Sequence, residues 1–132
     1  MKVHLRRSSE FKKVYQNGRR YDSPLITAFV LPNDQPNHRL GITVSRKTAI
    51  KALDRNRAKR LLRETFRLKR DSLGSLKKKY DWVLNGKRLL VSVKVDSPLE
   101  EFDRIMNRVA ADEAQFLSRQ REESLNCNTE IL

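Results

Sequence analysis

The chain has 132 residues, with 29 lysine and arginine side chains against 16 aspartate and glutamate, which gives a formal net charge of +13. This length predicts one compact domain, and the sequence has no run of about 18 apolar residues that could cross a membrane. The single cysteine, Cys127, excludes an internal disulfide and a zinc site built from several cysteines.

The excess of positive charge is the strongest signal in the composition. Self-repulsion of this kind opposes compaction, so it indicates an anionic partner. Nucleic acid is the favoured partner, because neutralising phosphates releases condensed counterions and drives binding; a membrane surface is the weaker alternative. Residues 1–7 lack the apolar stretch of a signal peptide, and we expect a cytoplasmic protein.

The first third of the chain predicts a helix followed by extended segments. Apolar spacing predicts a helix over residues 8–17, with Ser8 or Ser9 as its cap and Gly18 as a left-handed residue at its end. Residues 19–31 are rich in apolar and β-branched side chains and predict extended structure.

Pro24 interrupts this extended stretch and favours two strands. Residues 38–45 alternate between apolar and polar side chains, as a half-buried strand does. The clearest helix is predicted over residues 51–70, and residues 80–84 predict another strand.

The remaining elements are a turn, a short strand and a last helix. Asn85 and Gly86 form a hairpin-type turn signal, and residues 89–95 could be a further strand. Ser97 as cap and Pro98 at the first helical position predict the start of the last helix.

The helix over residues 51–70 divides its faces by chemistry. On a helical wheel, one arc of about 100° holds cationic and amide side chains, namely Asn56, Lys59, Arg60, Arg63 and Arg67. The opposite side is apolar or small, with Ala58, Leu61, Leu62 and Thr65. We expect the second face to pack on a sheet and the first to bind phosphates, because guanidinium groups form forked bonds to phosphate oxygens.

A solvated cationic helix face is the alternative interpretation. Ordinary charged faces mix signs, whereas Asp54 and Glu64 are the only acids between residues 46 and 67 and lie off the basic arc. The pattern therefore favours an anion-binding face.

An ordered motif contains this helix. From Val44 to Glu64 the chain reads Val-Ser-Arg-Lys, then Lys-Ala-x-x-Arg-Asn-Arg-x-Lys-Arg-x-x-Arg-Glu. Upstream it reads Phe-x-x-Val-Tyr-x-x-Gly-Arg-Arg from Phe11 to Arg20. Over roughly residues 5–84 the sequence resembles the bacterial ribonuclease P protein family.

The resemblance implies a single compact α/β (α+β) domain, which we assign to residues 1–117. It would contain a four-stranded mixed sheet with helices packed on it, in the order α-β-β-β-α-β-α, and a left-handed crossover at the signature helix. Right-handed crossovers are the general rule, so this expectation rests on the family alone. Residues 118–132 are expected to form a polar, flexible tail.

The resemblance also implies two binding surfaces. The catalytic RNA would contact basic and amide side chains of the motif, namely Arg46, Lys47, Lys51, Arg55, Asn56, Arg57, Lys59, Arg60 and Arg63. Phe11 and Tyr15 would line a cleft for the single-stranded 5′ leader of precursor tRNA. Aromatic rings stack on unpaired bases with little sequence preference, although aromatic residues at helical spacing also commonly belong to a core.

The resemblance further implies that this chain is a subunit of a ribonucleoprotein endoribonuclease, which removes the 5′ leader of precursor tRNA. His4 and His38 lie far apart and no phosphate-binding loop occurs, so we predict no catalytic residue and no metal site in this chain. Magnesium would be held mainly by the RNA, and no cofactor tightly by the protein. The expected partners are ribonuclease P RNA and precursor tRNA, with no membrane and no obligate protein partner.

Three alternatives remain open at the level of sequence. A homeodomain-like DNA-binding helix would share the Asn-Arg pair, but that fold consists of three helices, whereas strands are predicted here. A ribosomal protein or RNA chaperone would share the charge but not the ordered motif. A nuclease in its own right would need a cluster of acids, which the sequence does not show.

Overall fold

The computed structural model describes the backbone of residues 4–131 and the side chains of residues 4–115. Its elements in chain order are α1 (Ser8–Asn17), β1 (Arg19–Asp22), β2 (Ile26–Asn33), β3 (Arg39–Thr43), α2 (Ala52–Leu68), α3 (Arg70–Leu73), β4 (Lys79–Gly86), a 3-10 turn (Arg88–Ser92) and α4 (Asp96–Ile131). Within residues 4–131, no helix is both long enough and apolar enough to cross a membrane.

The strands form one four-stranded mixed sheet in the order β1-β2-β4-β3. The β1–β2 and β2–β4 pairs are antiparallel, whereas β3 and β4 are parallel. Parallel neighbours require a crossover connection, and α2 lies in it. The predicted four-stranded sheet with packed helices is confirmed; the hand of the crossover stays an expectation.

Strand alternation separates two apolar layers on the two faces of the sheet. The larger core lies between one face and the helices α2 and α4, and its fully buried members include Ile26, Leu62, Trp82, Leu84, Leu90 and Phe102. A smaller cluster lies under α1 on the other face, where Leu5, Val14 and Val83 are buried. Among the helices of residues 4–115, the short helix α1 is the one that packs on this second face, next to Leu5.

The start and end of α1 differ from the sequence prediction. The helix begins after Arg7 rather than after Ser8 or Ser9, because Glu10 Oε1 accepts the Arg7 backbone N–H at 3.1 Å. Gly18 is extended, with φ −78° and ψ 161°, and is not left-handed. Close packing explains why this position is a glycine. A Cβ atom here would collide with the Val14 carbonyl oxygen and would lie 3.2 Å from the Val30 carbonyl oxygen.

Two predictions after Trp82 are wrong. Asn85 and Gly86 do not turn the chain but continue β4, because they pair with Thr27 and Ile26 of β2. Residues 89–95 form no strand; the 3-10 turn there inserts Leu90 into the core.

The last helix begins at Asp96, before the predicted cap at Ser97. Its backbone is helical as far as Ile131, which includes most of the tail predicted over residues 118–132. The flexibility of that tail stays a prediction. Side chains from residue 116 onward, including that of Cys127, lie outside the described residues.

Glu113 of α4 ties the chain segment before β4 to the last helix. Its carboxylate accepts the Tyr80 hydroxyl at 2.5 Å and the backbone N–H groups of Lys77 and Lys78 at 2.8 and 3.1 Å. Burial raises the pKa of Glu113, but these hydrogen bonds favour the charged form and leave its pKa below the ordinary value of 4.5.

Glu113 should therefore make the protein sensitive to acid. The unfolded chain binds this proton more tightly than the folded chain, so the stability is present above pH 4.5 and is lost as the pH falls through the lower folded pKa. In urea unfolding followed between pH 7 and pH 3, Glu113→Gln should be less stable at pH 7 and lose less stability on acidification than the parent protein. Parallel pH curves for the two proteins would contradict this role.

Candidate nucleic-acid interface

The helix α2 divides its faces as the sequence predicts. Ala58, Leu62, Thr65 and Phe66 are buried against the sheet, and the Phe66 ring lies 6.5 Å from the ring of Trp82 between centroids. Aromatic and aliphatic packing fixes the rotation of the helix about its axis. The opposite side of α2 therefore points to solvent.

We name that solvent side the cationic face; it consists of Asn56, Lys59, Arg60, Arg63 and Arg67. All of these side chains are exposed except Lys59, which is half-buried. Arg67 pairs with Glu64 through Nε and Oε2 at 3.1 Å. Within residues 4–115, no carboxylate forms an ion pair with Lys59, Arg60 or Arg63, so their charges are available to an outside anion.

The loop between β3 and α2 extends the positive surface. Arg46, Lys47 and Lys51 are all exposed on it. The Arg55 guanidinium donates to the backbone carbonyls of Ala49 and Ile50 at 3.0 and 2.7 Å. Arg55 thus fixes the loop that carries the other cations, a role that the sequence pattern did not indicate.

Arg57 has a comparable partner inside the chain. Its guanidinium donates to the backbone carbonyl of Val91, and more weakly to that of Val93 at 3.4 Å. These bonds connect α2 to the 3-10 turn and to the residue after it. A guanidinium carries five N–H donors, so contact of Arg55 and Arg57 with an RNA stays a prediction alongside these structural roles.

The predicted cleft beside α1 would contain an accessible aromatic side chain. Tyr15 is 37% exposed, its ring meets Phe29 edge to face at 4.8 Å, and its hydroxyl donates to Asn85 Oδ1 at 2.9 Å. Phe11 is half-buried and packs with the cluster under α1, where a Cβ atom on Gly41 would lie 2.6 Å from its ring. Phe11 therefore packs with the core under α1, whereas Tyr15 is the more accessible of the two side chains.

Other residues of the cleft were not singled out by the sequence. Phe29 shares this face of the sheet because it alternates with Ala28 and Val30 of the larger core. The Arg20 guanidinium lies 5.9 Å from the centre of the Phe29 ring, as in a cation–π contact. The alternation of β2 is the signal that could have placed Phe29 in the cleft.

The described residues contain no group of three His, Cys, Asp or Glu side chains that could bind one metal ion. His4 forms an isolated bridge with Leu40, and His38 is engaged with Tyr80 and Trp82 through one ring nitrogen.

Comparison with known families decides what kind of protein carries these surfaces. A family model described as Ribonuclease P matches residues 1–110. The chain belongs to the ribonuclease P protein family. As a ribonuclease P protein component, it is by implication a subunit of an RNA-based endoribonuclease and a partner of ribonuclease P RNA.

Two named relatives agree with this family assignment. The ribonuclease P protein component of Histophilus somni is 34% identical over 106 residues, covering 80% of this chain and 86% of the relative. That of Pseudoalteromonas atlantica is 42% identical over 85 residues, covering 64% of this chain and 68% of the relative.

Solved structures of ribonuclease P proteins share the fold. The protein from Thermotoga maritima superposes with a TM-score of 0.67 at 28% identity, covering 80% of this chain and 96% of that one. The Staphylococcus aureus protein gives a TM-score of 0.68 at 20% identity, over 83% and 96% of the two chains, and shows the fold alone. The predicted family and fold class are confirmed, whereas the roles of individual residues stay predictions.

Proposed function

We propose that this ribonuclease P protein binds the catalytic RNA and the single-stranded 5′ leader of precursor tRNA, and assists the magnesium-dependent removal of that leader. The catalytic RNA would lie against the cationic face and against Arg46, Lys47 and Lys51 of the preceding loop. The leader would lie in the cleft between α1 and the sheet. In this arrangement one protein contacts both RNAs, one through α2 and the loop before it and the other beside α1.

The observation that carries the proposal is the group of three cations, Lys59, Arg60 and Arg63, on one side of a helix whose other side is buried. Such a row repels itself unless an anion neutralises it. An RNA backbone supplies phosphates in a regular array, and its counterions are released on binding. Within residues 4–115, the carboxylates that form ion pairs do so with cations outside this group, such as Arg39, Arg67 and Lys69.

The cleft supports the part of the proposal that concerns the leader. Tyr15 and Phe29 offer aromatic surface. Arg20 and Lys87 share one carboxylate, that of Asp22, and so leave a net positive charge near the same side of the sheet. Stacking tolerates any base, which suits an enzyme that accepts many leader sequences. The Asn85 and Thr43 side chains beside the Tyr15 hydroxyl hold the ring in place.

In the proposed division of labour the protein supplies no reacting group. Magnesium would be bound mainly by the catalytic RNA, and the protein would lower phosphate repulsion between the two RNAs and position the leader. The chain would act in the cytoplasm. The function is tested by adding the protein to its cognate catalytic RNA and measuring cleavage of precursor tRNA; an unchanged rate at every magnesium concentration would contradict it.

Tyr15→Ala should weaken binding of precursor tRNA more than binding of mature tRNA, because only the precursor carries a leader. Stacking on one base contributes about 1–3 kcal/mol, so the reconstituted enzyme should lose about 5- to 150-fold in affinity for the precursor. Tyr15→Phe keeps the ring and should retain most of this affinity. Gln16→Ala, an exposed change on the same helix, is the matched control, and equal losses for precursor and mature tRNA would refute the leader site.

A further inference from the structure

Two large apolar side chains at the start of α2 are almost fully exposed, and we call them the apolar patch. Ile50, which precedes the helix, is 89% exposed, and Leu53, in its first turn, is 80% exposed. These are the highest exposures among the large apolar side chains of residues 4–115. A single exposed leucine is common on a protein surface, but here two such side chains lie three residues apart, and no described part of the chain covers them.

The apolar patch borders a shallow groove between the loop before α2 and the 3-10 turn. The groove has a volume of about 580 Å³, and Ala49, Ile50 and Val91 give it apolar surface. Two arginines of the motif hold its walls in place. The Arg55 guanidinium donates to the backbone carbonyls of Ala49 and Ile50, and that of Arg57 donates to the carbonyl of Val91. The Ile50 side chain is therefore presented to solvent by a fixed loop.

The rim of this groove is positively charged. Lys47, Lys51 and Arg88 line it, together with one acid, Asp54. In the part of the chain with described side chains, none of these three cations forms an ion pair. A purely apolar occupant would remove water from the cations without supplying a partner, which is costly. The occupant must therefore combine an apolar surface with negative charge.

The apolar patch is also continuous with the cationic face of α2. Leu53 precedes Asn56 by three residues and Arg60 by seven, so the three side chains share one side of the helix. An RNA strand that lies along the cationic face would therefore extend to Leu53. A nucleotide meets both requirements of the groove, because its base offers an apolar π-face and its phosphate is an anion.

We propose that Ile50 and Leu53 pack against the face of an unpaired nucleobase of the catalytic RNA. The base is unpaired or ends a stack, because unstacked bases are the ones whose faces a protein can reach. The inference rests on the proposed function and adds a different kind of contact to it. Because neither side chain is charged, this contact contributes affinity that does not depend on the release of counterions.

The affinity of the full chain for its cognate catalytic RNA tests this contact. Ile50→Ser combined with Leu53→Ser should raise the Kd about tenfold, the change expected when the burial of about two methylene groups is lost. The slope of log affinity against log salt should stay that of the parent protein, since no charge is removed. Ile50→Val combined with Leu53→Met keeps the apolar surface and should retain most of the affinity.

A leucine at the other end of α2 provides a matched control. Leu68 is 46% exposed in the last turn of the helix. Leu68→Ser should leave the Kd for the RNA unchanged, whereas Leu53→Ser alone should raise it. Circular dichroism would check that both variants keep the fold. Equal losses of affinity for the two variants would overturn the proposed contact.

A second measurement reports on the base itself. In a methyl-labelled protein bound to the catalytic RNA, the ring current of a base packed on Ile50 should move the Ile50 δ1 methyl proton signal upfield. A phosphate near the loop produces no ring current, so this shift separates a base contact from a purely electrostatic one. An Ile50 methyl signal that stays in place when the RNA binds would refute the contact.

The inference and the proposed function can fail separately. If the parent protein binds the RNA and stimulates cleavage, but the double serine variant keeps the parent Kd, the inference fails and the proposed function stands. If the parent protein neither binds the RNA nor stimulates cleavage, both fail. If the double serine variant keeps the parent Kd for RNA but loses binding to vesicles that contain anionic lipid, or loses self-association in sedimentation, the apolar patch serves a membrane or a second copy of the chain, and the base contact is refuted.

Discussion

Replacing Lys59, Arg60 and Arg63 together with glutamine should lower the affinity of this protein for the catalytic RNA at least about a hundredfold. Each charge-assisted hydrogen bond contributes about 1.5–3 kcal/mol, and about 1.4 kcal/mol is a tenfold change in Kd. Because these side chains lie on the solvent side of α2 and have no carboxylate partner within residues 4–115, their removal should leave the fold intact. Circular dichroism would check the fold, and filter binding the affinity.

A control with the same loss of charge separates contact from general attraction. Lys77, Lys94 and Arg104 are exposed and lie outside the cationic face, so their replacement by glutamine should cost much less affinity. If about 6 phosphates are contacted, the slope of log affinity against log salt is near −5 for duplex-like RNA. The first triple variant should give a slope shallower by about 3. Equal slopes for the two triple variants would argue against a phosphate-binding face on α2.

Arg39→Met should lower the free energy of unfolding by about 3–5 kcal/mol, the cost of leaving one partner of a buried ion pair without the other. Arg39 binds both carboxylate oxygens of Asp81 at 2.7 and 2.6 Å, and the Asp81 side chain is only 7% exposed. A second contact joins Arg39 to Glu10 of α1 at 3.0 Å. The substitution therefore removes the link between α1 and the sheet, and urea unfolding measures its cost.

A second variant tests whether the unpaired Asp81 charge causes this loss of stability. Asp81→Asn in the Arg39→Met background removes that charge and should recover part of the stability. Asn33, which donates to Asp81 Oδ1 at 2.6 Å, can still donate to the amide oxygen of the new side chain. A loss below about 1 kcal/mol for Arg39→Met, the range of surface pairs, would show that this ion pair does not hold α1 in place.

The elements that depend on local pattern were predictable from the sequence. The helix α1 covers the predicted residues 8–17, and the extended stretch divides near Pro24 into β1 and β2. The two faces of α2 follow from its 3.6-residue period, because Ala58, Leu62 and Thr65 are the residues that the sheet buries. Here the local signal and the tertiary packing agree.

Other features depend on contacts between distant residues. Asn85 and Gly86 carry a turn signal, yet pairing with β2 and packing against Leu90 keep them in a strand. Gly18 is needed for close approach to the carbonyls of Val14 and Val30 rather than for a left-handed conformation. Local propensity cannot identify these distant contacts, and tertiary pairing overrides it.

The candidate site was predicted in outline and not in detail. The cationic face was visible as a wheel pattern, but a cation that binds RNA and one that binds a backbone carbonyl look the same in a sequence. Arg55 and Arg57 have carbonyl partners in the loop and in the 3-10 turn.

Reconstitution at low magnesium tests most directly whether this chain, as proposed, places positive charge between two RNAs. Precursor tRNA cleavage by the cognate catalytic RNA should be strongly stimulated by the protein when magnesium is scarce. The stimulation should shrink when magnesium is abundant, because the ions then screen the same phosphates. A protein that binds the RNA but leaves cleavage at low magnesium unchanged would contradict the account.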